Sequence, residues 1–301
     1  PAARAAMLSV VPPLLPIMLP VLLCAAFGVV WVRCKQPFDQ EFVRRMVMWV
    51  GAPALIVSTL GSVEIAPAVL SEVLTASLLM LVWTALLGSA FCALAGLSIR
   101  NFLVPLTFGN FGNMGLPICL FAFGQQGLAL ALGVFLDTMV CHFSLGVAVL
   151  NGSNAMRAVL RSPIIYAGAL AALLVFCDWT LPATASNTLS ILGGMSIPLM
   201  LITLGVSLGS LRVAVAGRAV ILGVARLALG LSAGFLTVWS LELDGLVREV
   251  VLLQSAMPAA VFNYLLAVQY QREPATVAGM VVSSTLISFI SIPVLLLYLN
   301  V

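Results

Sequence analysis

Of the 301 residues, 62% are hydrophobic and only 8% charged, with a mean hydropathy of +1.20, whereas a soluble domain carries roughly 25% charged residues. This composition excludes a water-soluble globular fold and makes lipid the protein's solvent. The formal net charge is +3, and with no polybasic run among the thirteen basic residues nucleic acid is excluded as a partner.

Crossing a hydrocarbon core of about 30 Å takes about 20 apolar residues as helix. Apolar runs between polar breaks predict an all-α integral membrane protein of ten transmembrane helices, over residues 8–32, 43–62, 73–97, 102–123, 127–150, 163–181, 187–210, 214–240, 247–270 and 275–299. The first run is longer than a signal-peptide core and is expected to be a retained span. Connections are short: 33–42 is polar, 151–162 is amphipathic, and Gly124, Gln125 and Gln126 leave room only for a turn. Cys24, Cys34, Cys92, Cys119, Cys141 and Cys177 lie in or beside apolar segments without CxxC or Cys/His spacing, so free thiols are expected, with no metal site and no cofactor.

With the N-terminus outside, the inner loops hold Arg33, Lys35, Arg44, Arg45, Arg100, Arg157, Arg161, Arg212, Arg218 and Arg272. The outer side then holds only Arg4 and Arg248, an asymmetry that puts both termini outside a multi-pass protein of the cell membrane, in keeping with a bacterial inner membrane. Three prolines recur at nearly one spacing: Pro20 to Pro163, Pro53 to Pro198 and Pro117 to Pro258 are 143, 145 and 141 residues apart. The chain thus divides into repeats at 1–150 and 151–301. Five helices per repeat is an odd number, so the second copy enters the membrane from the opposite side, and the repeat is inverted.

Helix 4 carries Gly109, Asn110, Phe111, Gly112, Asn113, Met114, Gly115, Leu116 and Pro117. Its three glycines cost about 1 kcal/mol each relative to alanine in a helix, and the proline removes a hydrogen bond and clashes with the preceding turn. The helix is expected to break here and to resume after Pro117. In lipid, freed backbone groups are tolerated only where protein or a water-filled cavity satisfies them, which puts the break in the interior. Helix 9 repeats the device between Gln254 and Asn263, around Ser255 and Pro258. Inversion brings the broken helices 4 and 9 together as a crossing. Their half-helix N-termini then present free N–H groups and positive dipole ends, which suit a carboxylate, with Asn110, Asn113 and Asn263 adding neutral hydrogen bonds. The expected substrate-binding set is Asn110, Asn113, Gly115, Pro117, Ser255, Pro258 and Asn263. The alternative is that both segments are packing kinks, with glycines permitting close helix contact.

GNFGNMGLP and, later, AMPAAVFNYLLAVQY resemble the paired helix-4 and helix-9 motifs of the auxin efflux carrier family, and the resemblance covers essentially the whole chain. That family includes plant auxin exporters and bacterial permeases assigned to malate or malonate. The resemblance implies a fold like that of bile-acid symporters and sodium/proton antiporters, with a scaffold of helices 1, 2, 6 and 7 and a moving transport domain of helices 3–5 and 8–10. It places the substrate-facing asparagine on Asn110 and fits Asn113 to the bacterial form of the motif. Asn263 stands where the plant motif has a second proline, and helix 7 offers Ser196 and Thr203 in place of the plant asparagine. These departures put auxin itself in doubt and leave the anion class standing. Relatives of this architecture often pair through their scaffolds, so a homodimer is expected.

Two charges fall inside predicted helices, Asp137 in helix 5 and Arg226 in helix 8. Both are coupling candidates: they can pair with each other across the repeat, or Asp137 can bind and release a proton, or the pair can be structural. His142, five residues past Asp137, lies on another helix face. The favoured function is secondary active transport of a small organic anion by alternating access. A cation/proton antiporter of the same general fold would need acids near the crossing, where neither broken stretch has one. A membrane enzyme lacks material, since neither HExxH nor GxSxG occurs. A passive channel is a further alternative. Direction and coupling stay open, because the inside-negative potential alone drives anion efflux whereas proton coupling allows uptake.

Overall fold

The structure, a computed structural model, describes residues 2–151, 162–210 and 217–301. Arg157, Arg161 and Arg212, counted above among the inner basic residues, lie outside the described residues, as does most of the amphipathic connection 151–162. The regular secondary structure of the described residues is helical, apart from one isolated bridge between Gly109 and Ala259.

In chain order the helices are α1 Ala2–Arg33, α2 Gln40–Met46, α3 Ala52–Leu60, α4 Pro67–Leu94, α5 Ile99–Thr107, α6 Leu116–Cys141, α7 Val147–Asn151, α8 Pro163–Phe176, α9 Ala183–Gly194, α10 Ser196–Ser210, α11 Gly217–Leu241, α12 Gly245–Ser255, α13 Val261–Gln269 and α14 Pro274–Tyr298. Three π-helical turns, Val47–Gly51, Phe111–Gly115 and His142–Gly146, connect α2 to α3, lead into α6 and connect α6 to α7. Starts follow local chemistry. The Asp39 carboxylate accepts from Phe42 N at 2.9 Å to cap α2, and α4, α8 and α14 each open on a proline that needs no N–H partner.

Seven helical segments are long and apolar enough to cross a membrane. The expected ten spans resolve differently for three physical reasons. The stretch 111–150 reads as one segment of 40 residues, yet it is two helices joined across a kink at Gly124, whose φ of 67° and ψ of −158° only glycine adopts easily. Residues 99–115 and 245–269 are each interrupted by non-helical backbone, and Pro163–Phe176 is a shorter apolar helix. Large apolar side chains such as Leu23, Ile191, Val294 and Ile290 are exposed, as a lipid-facing surface requires, and Trp179 and Trp239 stand exposed near helix ends, the usual depth for tryptophan.

Packing falls into two neighbourhoods. α1 lies along α10, and α3 packs on α8 and α9. The α1–α10 seam is tight because Gly28 and Gly205 let the backbones touch: a Cβ on Gly205 would overlap the Ala25 carbonyl oxygen, and one on Gly28 the Ile202 carbonyl oxygen. The other neighbourhood is centred on α11, which packs on α4, α5, α12 and α14, while α6 packs on α4 and α12. The two meet chiefly where α1, α3 and α10 face α6 and the turn 111–115. A small apolar cluster of Phe102, Leu106, Leu222, Ala259 and Met280 supports the Gly109–Ala259 bridge from behind.

Candidate substrate site

α5 ends at Thr107 and the chain runs extended through Phe108 before the turn at Phe111. α12 ends at Ser255, and residues 256–260 are likewise non-helical before α13. These two breaks meet. Asn110 N donates to the Pro258 carbonyl at 2.7 Å, and Ala260 N donates to the Phe108 carbonyl at 3.3 Å, in antiparallel sense. Ala259 N donates to Ser284 Oγ at 3.1 Å, which ties the bridge to α14. Freed backbone groups buried in an apolar protein are thus satisfied by one another. Pro258 serves only as an acceptor here, the one backbone role a proline keeps.

The first break lies earlier than the expected resumption after Pro117. Helix resumes at Phe111, and Pro117 sits in the first turn of α6, where a π-helical turn absorbs the missing N–H. Glycines at 109 and 112 are the reason: unlike the proline, they admit close neighbours on both sides. A Cβ on Gly109 would overlap Arg226 Nη2, and one on Gly112 would stand 2.8 Å from the Phe135 ring.

A cavity of about 440 Å³ opens in front of the bridge, within the range of small-molecule sites. One wall is the first turns after both breaks, Gly109 to Asn113 and then Ala260, Val261, Phe262, Tyr264 and Leu265, and the cavity extends to Gln40, Arg44 and Ser210 of α2 and α10. First-turn N–H groups have no intrahelical acceptor, so both helices offer donors and a positive dipole end to this wall. Glu41, the one acid lining the cavity among the described residues, lies at that far end and is held by Arg44 and Arg45, each at 2.7 Å.

Of the expected site residues, Asn110 and Asn113 line this cavity. Asn110 is 4% exposed and its Nδ2 has no partner among the described residues. Asn263 stands just behind, donating Nδ2 to the Phe108 carbonyl at 2.8 Å and leaving Oδ1 unpartnered. Pro258 contributes its carbonyl to the bridge. Gly115 faces Gln254, Pro117 is buried in α6, and Ser255 Oγ bonds its own helix at the Leu252 carbonyl, 2.8 Å away, so these three support the breaks rather than line the cavity. Asp137 bonds Ser77 of α4 and does not line the cavity. Asp137 and Arg226 form no ion pair: Arg226 points instead to the Leu106 carbonyl.

Composition alone missed the aromatic lining. Phe111, Phe135, Phe143, Phe262 and Tyr264 surround the cavity. His142 lines it too, stacked on Phe108 at 4.2 Å with Phe262 edge-on at 5.5 Å, and its buried Nε2 has no partner among the described residues. The signal available in sequence was only that His142–Phe143 and Phe262 flank polar positions.

Paired helix breaks around a cavity are a form that substrate sites take in membrane carriers. Residues 147–296 match the model of a family described as membrane transport protein. The chain is 30% identical over 192 residues to an uncharacterized transporter of Methanothermobacter thermautotrophicus, covering 61% of this chain and 63% of that one. It is 26% identical over 219 residues to an uncharacterized transporter of Methanocaldococcus jannaschii, covering 69% and 70%. The chain therefore aligns with a little under two thirds of the length of the first of these relatives. The family match spans 150 of the 301 residues, just under half of the chain.

Proposed function

We propose that this protein is a secondary active transporter of small organic anions, carboxylates such as malonate, malate or auxin-like acids, working by alternating access. The observation that carries this is the wall of the cavity: two helix N-termini, held by a main-chain bridge, with the Asn110 Nδ2 donor unpartnered and, among the described residues, no acid at the bridge. A carboxylate placed there meets donors and positive dipole ends, whereas a cation meets those same positive ends and no counter-charge.

The division of packing supports two bodies, a scaffold of α1–α3 and α8–α10 and a transport domain of α4–α7 and α11–α14. In this proposal the chain is a pair of inverted repeats whose broken helices cross at the bridge, and the transport domain carries the site up and down against the scaffold. Since the cavity reaches α2 and α10 ends that neighbour basic residues, it is the inward-facing state. The lipid bilayer is the medium, a scaffold-mediated homodimer the expected assembly, and Asp137 the group proposed to carry a coupling proton.

The test is uptake of labelled malonate, malate and indole acetate into proteoliposomes. Accumulation that falls at least tenfold in Asn110→Ala and Asn263→Ala supports the site. Unchanged uptake in both variants removes the site assignment, and a wild type that accumulates none of the three removes the function.

A further inference from the structure

Arg226 lies at the middle of α11, is 1% exposed, and makes no ion pair among the described residues. A charge at the centre of a membrane helix is costly unless its surroundings offset it. Those surroundings are backbone. Nη1 donates to the Leu106 carbonyl at 2.9 Å, in the last turn of α5, and Cζ stands 5.8 Å from the Phe111 ring, while Nε and Nη2 have no acceptor.

Two glycines leave the guanidinium its space. A Cβ on Gly109 would overlap Nη2, and one on Gly230 would sit 3.0 Å from Nη1 and overlap the Ser255 carbonyl oxygen. Ser255 is the last residue of α12. Arg226 therefore stands beside the C-terminal ends of α5 and α12, against Gly109 and Phe111, which line the cavity. Each helix C-terminus acts as about half a negative charge, and each N-terminus as about half a positive one. At the bridge two ends of each kind converge, so backbone alone would leave a field near zero.

We infer that Arg226 sets the sign of the site: it neutralises the two helix C-termini behind the bridge, leaves the cavity under the unbalanced positive field of the two N-termini, and so confines binding to anions. Arg226 acts through the field and not by touching the substrate, which makes it a positioning residue. Its role rests on the chain being an organic-anion carrier and names what makes that carrier reject cations.

The test uses purified protein in proteoliposomes, with labelled indole acetate and labelled malonate as probes. Each is set against an amine of the same skeleton as competitor, tryptamine for the first and 1,3-diaminopropane for the second. Wild type should be inhibited by unlabelled carboxylate and not by amine. Arg226→Gln keeps a donor for the Leu106 carbonyl and removes the charge, and should lower the ratio of amine to carboxylate inhibition constants at least tenfold. Arg226→Lys, which keeps the charge, should hold that ratio within about threefold. Should Arg226→Gln not be recovered folded, Gly109→Ala displaces the guanidinium without removing it and should shift the ratio in the same direction. A ratio unchanged in the neutral or displaced variant, whatever the uptake rate, overturns the inference and leaves the carrier function standing. Accumulation of neither probe by wild type overturns both.

Discussion

Gln254 occupies the space that any side chain at position 115 would need: a Cβ on Gly115 would overlap its Oε1. The glycine belongs to the turn after the first break and the glutamine to the last turn before the second, so each break is shaped to fit the other. Gly115→Ala should therefore lower stability by about 1–3 kcal/mol, as overpacking of a filled interior does. A thermal melt in detergent should show the loss, and Gly115→Ala paired with Gln254→Ala should recover part of it.

The α1–α10 seam makes a comparable prediction in the other neighbourhood. Gly205→Leu drives a side chain into the Ala25 carbonyl, which is backbone and has no rotamer to escape into. Melting should fall by the equivalent of about 3 kcal/mol. Because Gly205 itself does not line the cavity, the substrate concentration for half-maximal uptake should hold within twofold in whatever protein remains folded.

Orientation can be read from native thiols. Cys34 and Cys177 are exposed, and the proposed topology would put them on opposite faces, inner and outer respectively. In a background with the other four cysteines replaced by serine, a membrane-impermeant maleimide applied to intact cells should label Cys177 and spare Cys34 until the membrane is permeabilised. The reverse pattern would invert the proposed topology.

Asp137 bonds Ser77 across α4 and α6, away from the cavity. Asp137→Asn keeps a hydrogen-bonding partner for that serine, so the melting temperature should hold within a few degrees. If the carboxyl carries the coupling proton, uptake by the variant should lose its response to an imposed pH gradient, measured with the membrane potential clamped. A response equal to wild type would leave Asp137 as a structural tie.

By contrast, Arg218 and Glu273 pair at 3.2 Å with half-exposed side chains. Such a pair is worth at most about 1 kcal/mol. Arg218→Ala should leave both melting and uptake near wild type, which makes it the control for Arg226 substitutions on the same helix.

Much of the fold was legible because lipid imposes long apolar runs and because glycine and proline mark where a helix cannot continue. The interruption at Gly124, and that helices break within GNFGNMGLP and near Pro258, could be read from those residues alone. The location of the first break within GNFGNMGLP could not, since whether Gly109 or Pro117 yields depends on Arg226 and Phe135, which arrive from distant sequence. The same holds for Gln254, whose meaning lies in a glycine of the other half, and for Arg226, whose partners are carbonyls and thus belong to no residue type. The cavity's aromatic wall was hidden for a simpler reason: in a chain this apolar, a phenylalanine facing the site looks like one facing lipid.

The joint between the two breaks is made by main-chain atoms, Asn110 N to the Pro258 carbonyl and Ala260 N to the Phe108 carbonyl. Main-chain bonds are indifferent to which side chains flank them. Positions such as Asn113, Phe262 and Tyr264 can accordingly be exchanged without dismantling the joint, so holding and recognising are separable duties in this architecture. A library randomised at those three positions is the natural starting point for retargeting it to a different cargo.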